Sequence, residues 1–165
     1  MEVAIIIGSD SDWPLVAPAW ELLKDFGIET EVRVLSAHRT PAACVEFVQE
    51  AEAAGAKVFI AAAGLAAHLP GAVAAQTRRP VIGLPVAAGP LQGQDALYSI
   101  VQMPPGVPVA TVGIDNARNA ALLAAEILAL SDPDIDAALV QYRRRQTENV
   151  LMKDRQLQGR LEGDK

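Results

Sequence analysis

The sequence predicts a doubly wound α/β fold, a parallel sheet covered by helices on both faces. Short apolar runs alternate five times with segments of helical spacing, and the connections between the runs are too long for hairpins. The first run, Val3 to Ile7, is continuously apolar and rich in β-branched residues, as a strand buried on both faces must be. The chain has 165 residues, which is the length of one such domain.

Val3 to Ile7 ends in the small, polar loop Gly8-Ser9-Asp10-Ser11-Asp12. From Asp12 to Phe26, Leu15, Val16, Ala19, Leu22, Leu23 and Phe26 fall at helical spacing, with Asp12 as cap, Pro14 in the first turn and Gly27 as stop. Glu29 to Leu35 alternates apolar and charged residues and reads as a strand. Ser36-Ala37-His38-Arg39 is a loop; Thr40 then caps a helix that begins with Pro41 and runs to about Ala54, before Gly55.

Lys57 to Ala62 is the third strand, and Ala63 to Gly71 is a loop leading into a short helix. Pro80 to Pro85 is the fourth strand, with prolines at its ends. Ala87 to Gly93 is a loop, Gln94 to Gln102 a short helix, and Met103-Pro104-Pro105-Gly106 a sharp turn. Val107 to Val112 is the fifth strand and Asn116 to Leu130 an alanine-rich helix. These elements place an α/β domain at residues 1–132, followed by one long helix over 133–165. In that helix Ile135, Leu139, Val150, Leu151, Leu157 and Leu161 are too sparse to fold alone, which suggests packing on a neighbouring subunit. A solvated helix with a charged face is the plainer alternative. Residues 141–165 carry seven of the 14 basic residues and four of the 20 acids, a local balance of +3 against −9 elsewhere.

Composition excludes several function classes. Hydrophobic residues make up 51% and charged residues 21%, the balance of a globular protein rather than a disordered one. The net charge of −6 and an aromatic content of 4% supply neither the basic field nor the stacking platforms of a nucleic-acid binder. The longest apolar stretch, around Val58 to Leu69, is interrupted and too short to span a membrane. Cys44 is the single cysteine and lies inside an expected helix, so neither a disulfide nor a thiol nucleophile is expected. Nothing near Met1 resembles a signal peptide, and a soluble cytoplasmic protein is the expectation.

In a doubly wound sheet, ligands sit at the carboxyl ends of the strands. The loop after the first strand combines Gly8, the Ser9 and Ser11 hydroxyls and the N–H groups of a helix start, which suit a phosphate. Its acids repel a phosphate but accept hydrogen bonds from sugar hydroxyls; a bare helix cap without ligand is the alternative. The loop lacks the Gly-Lys-Ser/Thr ending of a P-loop and the glycine pattern of a dinucleotide fold. After the second strand, Arg39 can meet a phosphate bidentately and offset those acids, and His38 is a candidate acid/base. After the third, His68 sits among alanines, which suits either a packed structural residue or a small, dry chamber. No carboxylates accompany the histidines at zinc-binding spacing, so no metal is expected. A phosphorelay receiver is excluded because the third strand ends in alanines rather than aspartate and no lysine lies between Lys57 and Lys153. A flavin protein would need aromatics to hold the ring, and only Trp13 lies in a candidate loop.

Together these loops resemble a known family. Gly8-Ser9-Asp10-Ser11-Asp12-Trp13, Ser36-Ala37-His38-Arg39-Thr40-Pro41, Ala66-Ala67-His68-Leu69-Pro70-Gly71 and Pro80 to Val86 match in order and spacing. So do Ser99 to Pro104, Gly106 to Thr111 and Asn116 to Ala120, so that the likeness covers residues 3–130. The chain is similar to the class I N5-carboxyaminoimidazole ribonucleotide mutases, the catalytic subunit of phosphoribosylaminoimidazole carboxylase. The resemblance implies a three-layer flavodoxin-like fold, a homo-octamer with C-terminal helices across neighbours, no cofactor, and a small nucleotide substrate. By motif position it implies substrate binding by Ser9, Asp12 and Arg39 with Ser11 nearby, and Ser36, Gly64, Ala66 and Leu69 complete the set expected around the substrate. His38 takes the proton-transfer role and His68 a positioning role in a carboxyl migration through trapped carbon dioxide. A carboxylase that uses free carbon dioxide, or a non-catalytic nucleotide-binding homologue, are the alternatives.

One position departs from the pattern. The family usually has Ala-Gly-Gly-Ala-Ala-His-Leu-Pro-Gly, and Leu65 stands where the second glycine is expected. If that position has positive φ, leucine there costs about 1–2 kcal/mol. If the glycine makes room for substrate, Leu65 narrows the pocket.

Overall fold

The computed structural model describes residues 1–163. Five parallel strands, β1 (Val3–Ile7), β2 (Thr30–Val34), β3 (Val58–Gly64), β4 (Val81–Val86) and β5 (Ala110–Thr111), form one sheet in the order β2-β1-β3-β4-β5. The helices are α1 (Trp13–Asp25), α2 (Pro41–Ala53), α3 (Leu69–Ala74), α4 (Gln94–Val101), α5 (Ala117–Ala129) and α6 (Pro133–Gly163). This is the doubly wound, flavodoxin-like order.

The alternation of side chains along each strand feeds two cores. Val3, Ile5 and Ile7 of β1, with Val58, Ile60 and Ala62 of β3, pack under α1, α5 and the start of α6. Ala4 and Ile6, with Phe59, Ala61 and Ala63, pack under α2, α3 and α4. Small residues set the closeness of these layers. The buried face of α5 is Ala117, Ala120, Ala121, Ala124 and Ala125, with Leu128 at its end. At Gly83 in β4 an added Cβ would collide with Ile100 of α4 and lie 2.8 Å from Val109, so this helix rests on bare backbone. β2 is an edge strand, which explains its alternating charged residues.

Four expectations need correction. The fifth strand, expected over Val107 to Val112, pairs only at Ala110–Thr111. Pro105 and Pro108 have no N–H to give a ladder, and Val107 donates back to the Pro104 carbonyl in a turn (3.2 Å). β4 includes Pro85 rather than ending at it. The Pro85 carbonyl accepts from Asp115 N (2.9 Å) beyond the end of β5, so its missing N–H faces a side with no ladder to break. The loop after β3 is shorter than expected, because β3 continues to Gly64 and α3 starts at Leu69. The side chains of Asp12 and Thr40 stand at helix starts but make no capping bond.

The last helix runs from Pro133 to Gly163, so residues 164 and 165 of the expected 133–165 segment lie outside the described residues. Ile135 and Leu139 are buried, and Tyr142 meets Phe26 edge-on with ring centres 5.7 Å apart. Beyond Arg143 the helix is exposed along its described length. No helix among the described residues is long and apolar enough to cross a membrane.

Candidate active site

The order β2-β1-β3 places the loops that follow these strands side by side at one end of the sheet, with β1 in the middle. Because the chain leaves β1 for one side and returns on the other, a crevice opens there. A cavity of about 470 Å³ fills it. Ser9, Ser11, Asp12, Ser36, His38, Arg39, Gly64, Ala66, His68 and Leu69 all line it, joined by Gly8, Ala37, Ala63, Leu65 and Ala88. Ala88 was not expected; it comes from the loop after β4, whose bland composition carries no chemical signal, and only its place at a strand's carboxyl end pointed to it.

The polar half of the cavity lies at the ends of β1 and β2. Residues Asp10–Asp12 form a single 3-10 turn. Ser9 begins it: its hydroxyl accepts from Ser11 N (3.3 Å) and lies 2.8 Å from the Ser11 hydroxyl. Burial is the main cause that pushes the Asp12 carboxyl above its ordinary value, against hydrogen bonds from Ser9 and Ser11.

The loop after β2 is folded on itself by Thr40. Its hydroxyl accepts from Ser36 N (2.9 Å) and donates to the Ser36 carbonyl (3.2 Å), in place of the capping role expected of it. The Ser36 hydroxyl then accepts from both the backbone N (3.2 Å) and Nε (3.4 Å) of Arg39. Nη2 of Arg39 donates to the Gly8 carbonyl at the end of β1 (3.0 Å). The guanidinium is thus held across the polar half with donors to spare. Among the described residues no carboxylate lies within ion-pair distance of it, so Arg39 does not pair with Asp10 or Asp12.

The apolar half is Ala63, Gly64, Leu65, Ala66, Leu69 and Ala88. An added Cβ on Gly64 would come within 2.9 Å of the Ala88 Cβ, so a glycine is what lets the β3 and β4 loops close together. Leu65 has φ 55°, the left-handed conformation whose cost was anticipated, and its side chain is half exposed at the cavity edge. The two histidines stand between the halves. Nε2 of His38 and Nδ1 of His68 are 2.5 Å apart, one donating and the other accepting. Cys44 is buried outside this cavity, and burial pushes its thiol up, away from the reactive thiolate.

This arrangement joins a half rich in hydroxyls and hydrogen-bond donors to a small apolar half, with a hydrogen-bonded pair of histidines lining the same cavity. The chain as a whole is similar to known proteins. The family model for AIR carboxylase matches residues 2–149. N5-carboxyaminoimidazole ribonucleotide mutase of Thermotoga maritima is 52% identical over 94% of this chain and 91% of its own. The mutase of Mycobacterium tuberculosis is 53% identical over 98% and 92%. That of Methanocaldococcus jannaschii is 55% identical over 92% and 94%. Among solved structures, Treponema denticola PurE superposes with a TM-score of 0.86, at 34% identity, over 94% of this chain and 97% of that one. The order of the strands, the sequence at their carboxyl ends and these likenesses agree: the chain belongs to the AIR carboxylase family.

Proposed function

We propose that this chain is an isomerase that converts N5-carboxyaminoimidazole ribonucleotide to 4-carboxyaminoimidazole ribonucleotide in purine biosynthesis. The observation that carries the reading is the 52–55% identity to relatives named as that mutase over more than nine-tenths of this chain.

The reaction moves a carboxyl group from the exocyclic nitrogen to ring carbon C4. Arg39, Ser9 and Ser11 receive the phosphate, and ionised Asp12 accepts from ribose hydroxyls. Ser36 holds Arg39 in place. The imidazole ring then lies toward the histidines, with Gly64, Ala66 and Leu69 around the migrating carboxyl group. The N–C bond of the carbamate breaks, its electron pair returns to nitrogen, and His38 delivers a proton there. Carbon dioxide is released into the apolar chamber. The enamine-like C4 attacks it, forming the C–C bond, and the C4 proton passes back to His38. One proton is given and one regained, so no net acid, base, oxidant or cofactor is consumed. His68 orients His38 through the bond between Nε2 and Nδ1, which fixes which nitrogen carries the proton. The apolar chamber keeps water from carrying carbon dioxide away. The enzyme works in the cytoplasm as a homo-octamer in which α6 lies on neighbouring copies.

The test is an absorbance assay with freshly prepared N5-carboxyaminoimidazole ribonucleotide and no added bicarbonate. Product formed faster than in the enzyme-free control is the expected result. Product only from aminoimidazole ribonucleotide with high bicarbonate would instead make the protein a carboxylase. Binding without turnover on either substrate would make it a nucleotide-binding homologue.

A further inference from the structure

His68 stands at the start of α3, a helix of six residues, too short to hold itself together in water. The side chains of α3, from Leu69 to Ala74, carry no polar atom. No backbone hydrogen bond ties α3 to another element among the described residues; its bonds run only between residues 68 and 76. Packing alone therefore places this helix, and with it His68. Leu69, Pro70 and Val73 are its buried face. Pro70 lies over Gly83 of β4, where an added Cβ would stand 3.4 Å from the Pro70 Cβ. A second contact falls at Gly71, three residues after His68. An added Cβ there would lie 3.0 Å from Cε and 3.1 Å from Sδ of Met103. The thioether end of Met103 is thus laid on bare α3 backbone, a surface that an unbranched, adaptable side chain can follow. Met103 belongs to the chain leaving α4, and Ile100 of α4 is itself packed on Gly83. α3 rests on β4 through Pro70 and meets the chain leaving α4 at Gly71.

We infer that Met103 is a positioning residue: laid on Gly71, it sets α3, and through α3 it sets the His68 ring against His38. Its part in turnover rests on the mutase reading above; its part in the histidine contact does not. The contact between Nε2 of His38 and Nδ1 of His68 depends on where α3 begins, because no hydrogen bond from the body of α3 to another element fixes that point. The two sizes are reciprocal. Shortening residue 103 leaves a gap over Gly71, and a methyl group at position 71 refills it.

The experiment uses the full chain with ¹⁵N in its two histidines, read at one pH beside steady-state kinetics. Met103→Ala is expected to move the ring-nitrogen resonances of both His38 and His68 toward those of an unpaired imidazole. It is also expected to lower kcat about ten- to a hundredfold with KM within a few-fold, the scale on which a displacement of about an ångström acts. Met103→Leu, of similar volume, is expected to keep resonances and kcat. Gly71→Ala in the Met103→Ala background is expected to restore most of both. Gly71→Ala alone is expected to change them little, since only the end of a flexible side chain must give way. Met103→Val is read in the same way if Met103→Ala does not fold. Unchanged histidine resonances in the shortened variant overturn the inference, as does a loss of kcat that Gly71→Ala deepens rather than relieves. Failure of the unaltered protein to convert substrate overturns the mutase reading instead, and the resonances still decide the histidine contact.

Discussion

His38 and His68 lie 30 positions apart in the chain, yet their ring nitrogens are 2.5 Å apart and their planes cross at 78°. The contact forms over the end of β1, because His38 follows β2 on one side of it and His68 precedes α3 after β3 on the other. Two strand spacings, roughly 10 Å, separate their parent strands. With one proton between the facing nitrogens, each ring fixes the tautomer of its partner. His38→Asn is therefore expected to lower kcat by about 10²–10⁴-fold, the usual worth of a positioned acid/base, while leaving substrate affinity within a few-fold. His68→Asn is expected to lower kcat less and to move the pH profile of the remaining activity. Steady-state kinetics across pH, with calorimetric titration for affinity, separate these. Full turnover in His38→Asn would remove it from the proton-transfer role.

Arg39 makes a different prediction, because only neutral partners hold its guanidinium. Its bonds to Ser36 and Gly8 hold it without a carboxylate partner, so its charge is available to an anion. A hydrogen bond to a charged group contributes about 1.5–3 kcal/mol, so Arg39→Ala is expected to raise KM by roughly 10–100-fold. Arg39→Lys is expected to recover only part, since a single ammonium cannot replace the planar fork. KM for the unaltered protein is also expected to rise with salt, and that slope should flatten in Arg39→Ala. A kcat loss at unchanged KM would contradict the assignment.

Asp12 carries a pH prediction. Burial raises its carboxyl above the ordinary carboxylate value, so the folded state favours its protonated form. The sign follows from linkage. The stability associated with this group is present at acid pH and is lost as pH rises through its raised folded value. Asp12→Asn is thus expected to raise Tm at neutral pH and to lose that advantage in acid, below the ordinary carboxylate range. Binding runs the other way: if ionised Asp12 accepts from ribose, affinity for the nucleotide increases with pH through the same window, and Asp12→Asn abolishes that dependence. Thermal melts and affinity titrations between acid and neutral pH test both signs. A Tm penalty from Asp12→Asn at neutral pH would show that its charge stabilises the fold.

How much of this was legible in the sequence varies with the range of the interaction. Central strands were readable because a strand buried on both faces must be apolar throughout, as Val3 to Ile7 is. The expected site residues meet in one cavity because each stands at the carboxyl end of a strand, and a parallel sheet gathers those ends. β5 was misjudged because pairing depends on what its neighbour offers, and prolines remove donors without changing hydropathy. Thr40 looks like a cap locally; that it braces Ser36 instead is a matter of loop geometry. The cost of Leu65 was foreseeable from chirality, but the approach of its side chain to Gly89 depends on a loop from another strand.

The far part of α6 makes the last prediction. Its described residues beyond Arg143 are exposed, although helices in proteins draw most of their stability from packing an apolar face. Val150, Leu157 and Leu161 fall within an arc of roughly 40° at helical spacing, with exposures of 65%, 52% and 53%. An apolar stripe on a helix without a tertiary partner calls for one from outside, and a second copy of the chain supplies the same stripe. Replacing Val150, Leu157 and Leu161 together by serine is expected to lower the assembly mass measured by sedimentation or light scattering. The α/β body should stay folded, because neither core reaches beyond Tyr142. A monomeric unaltered protein, or an unchanged mass in the triple variant, would place α6 outside the interface.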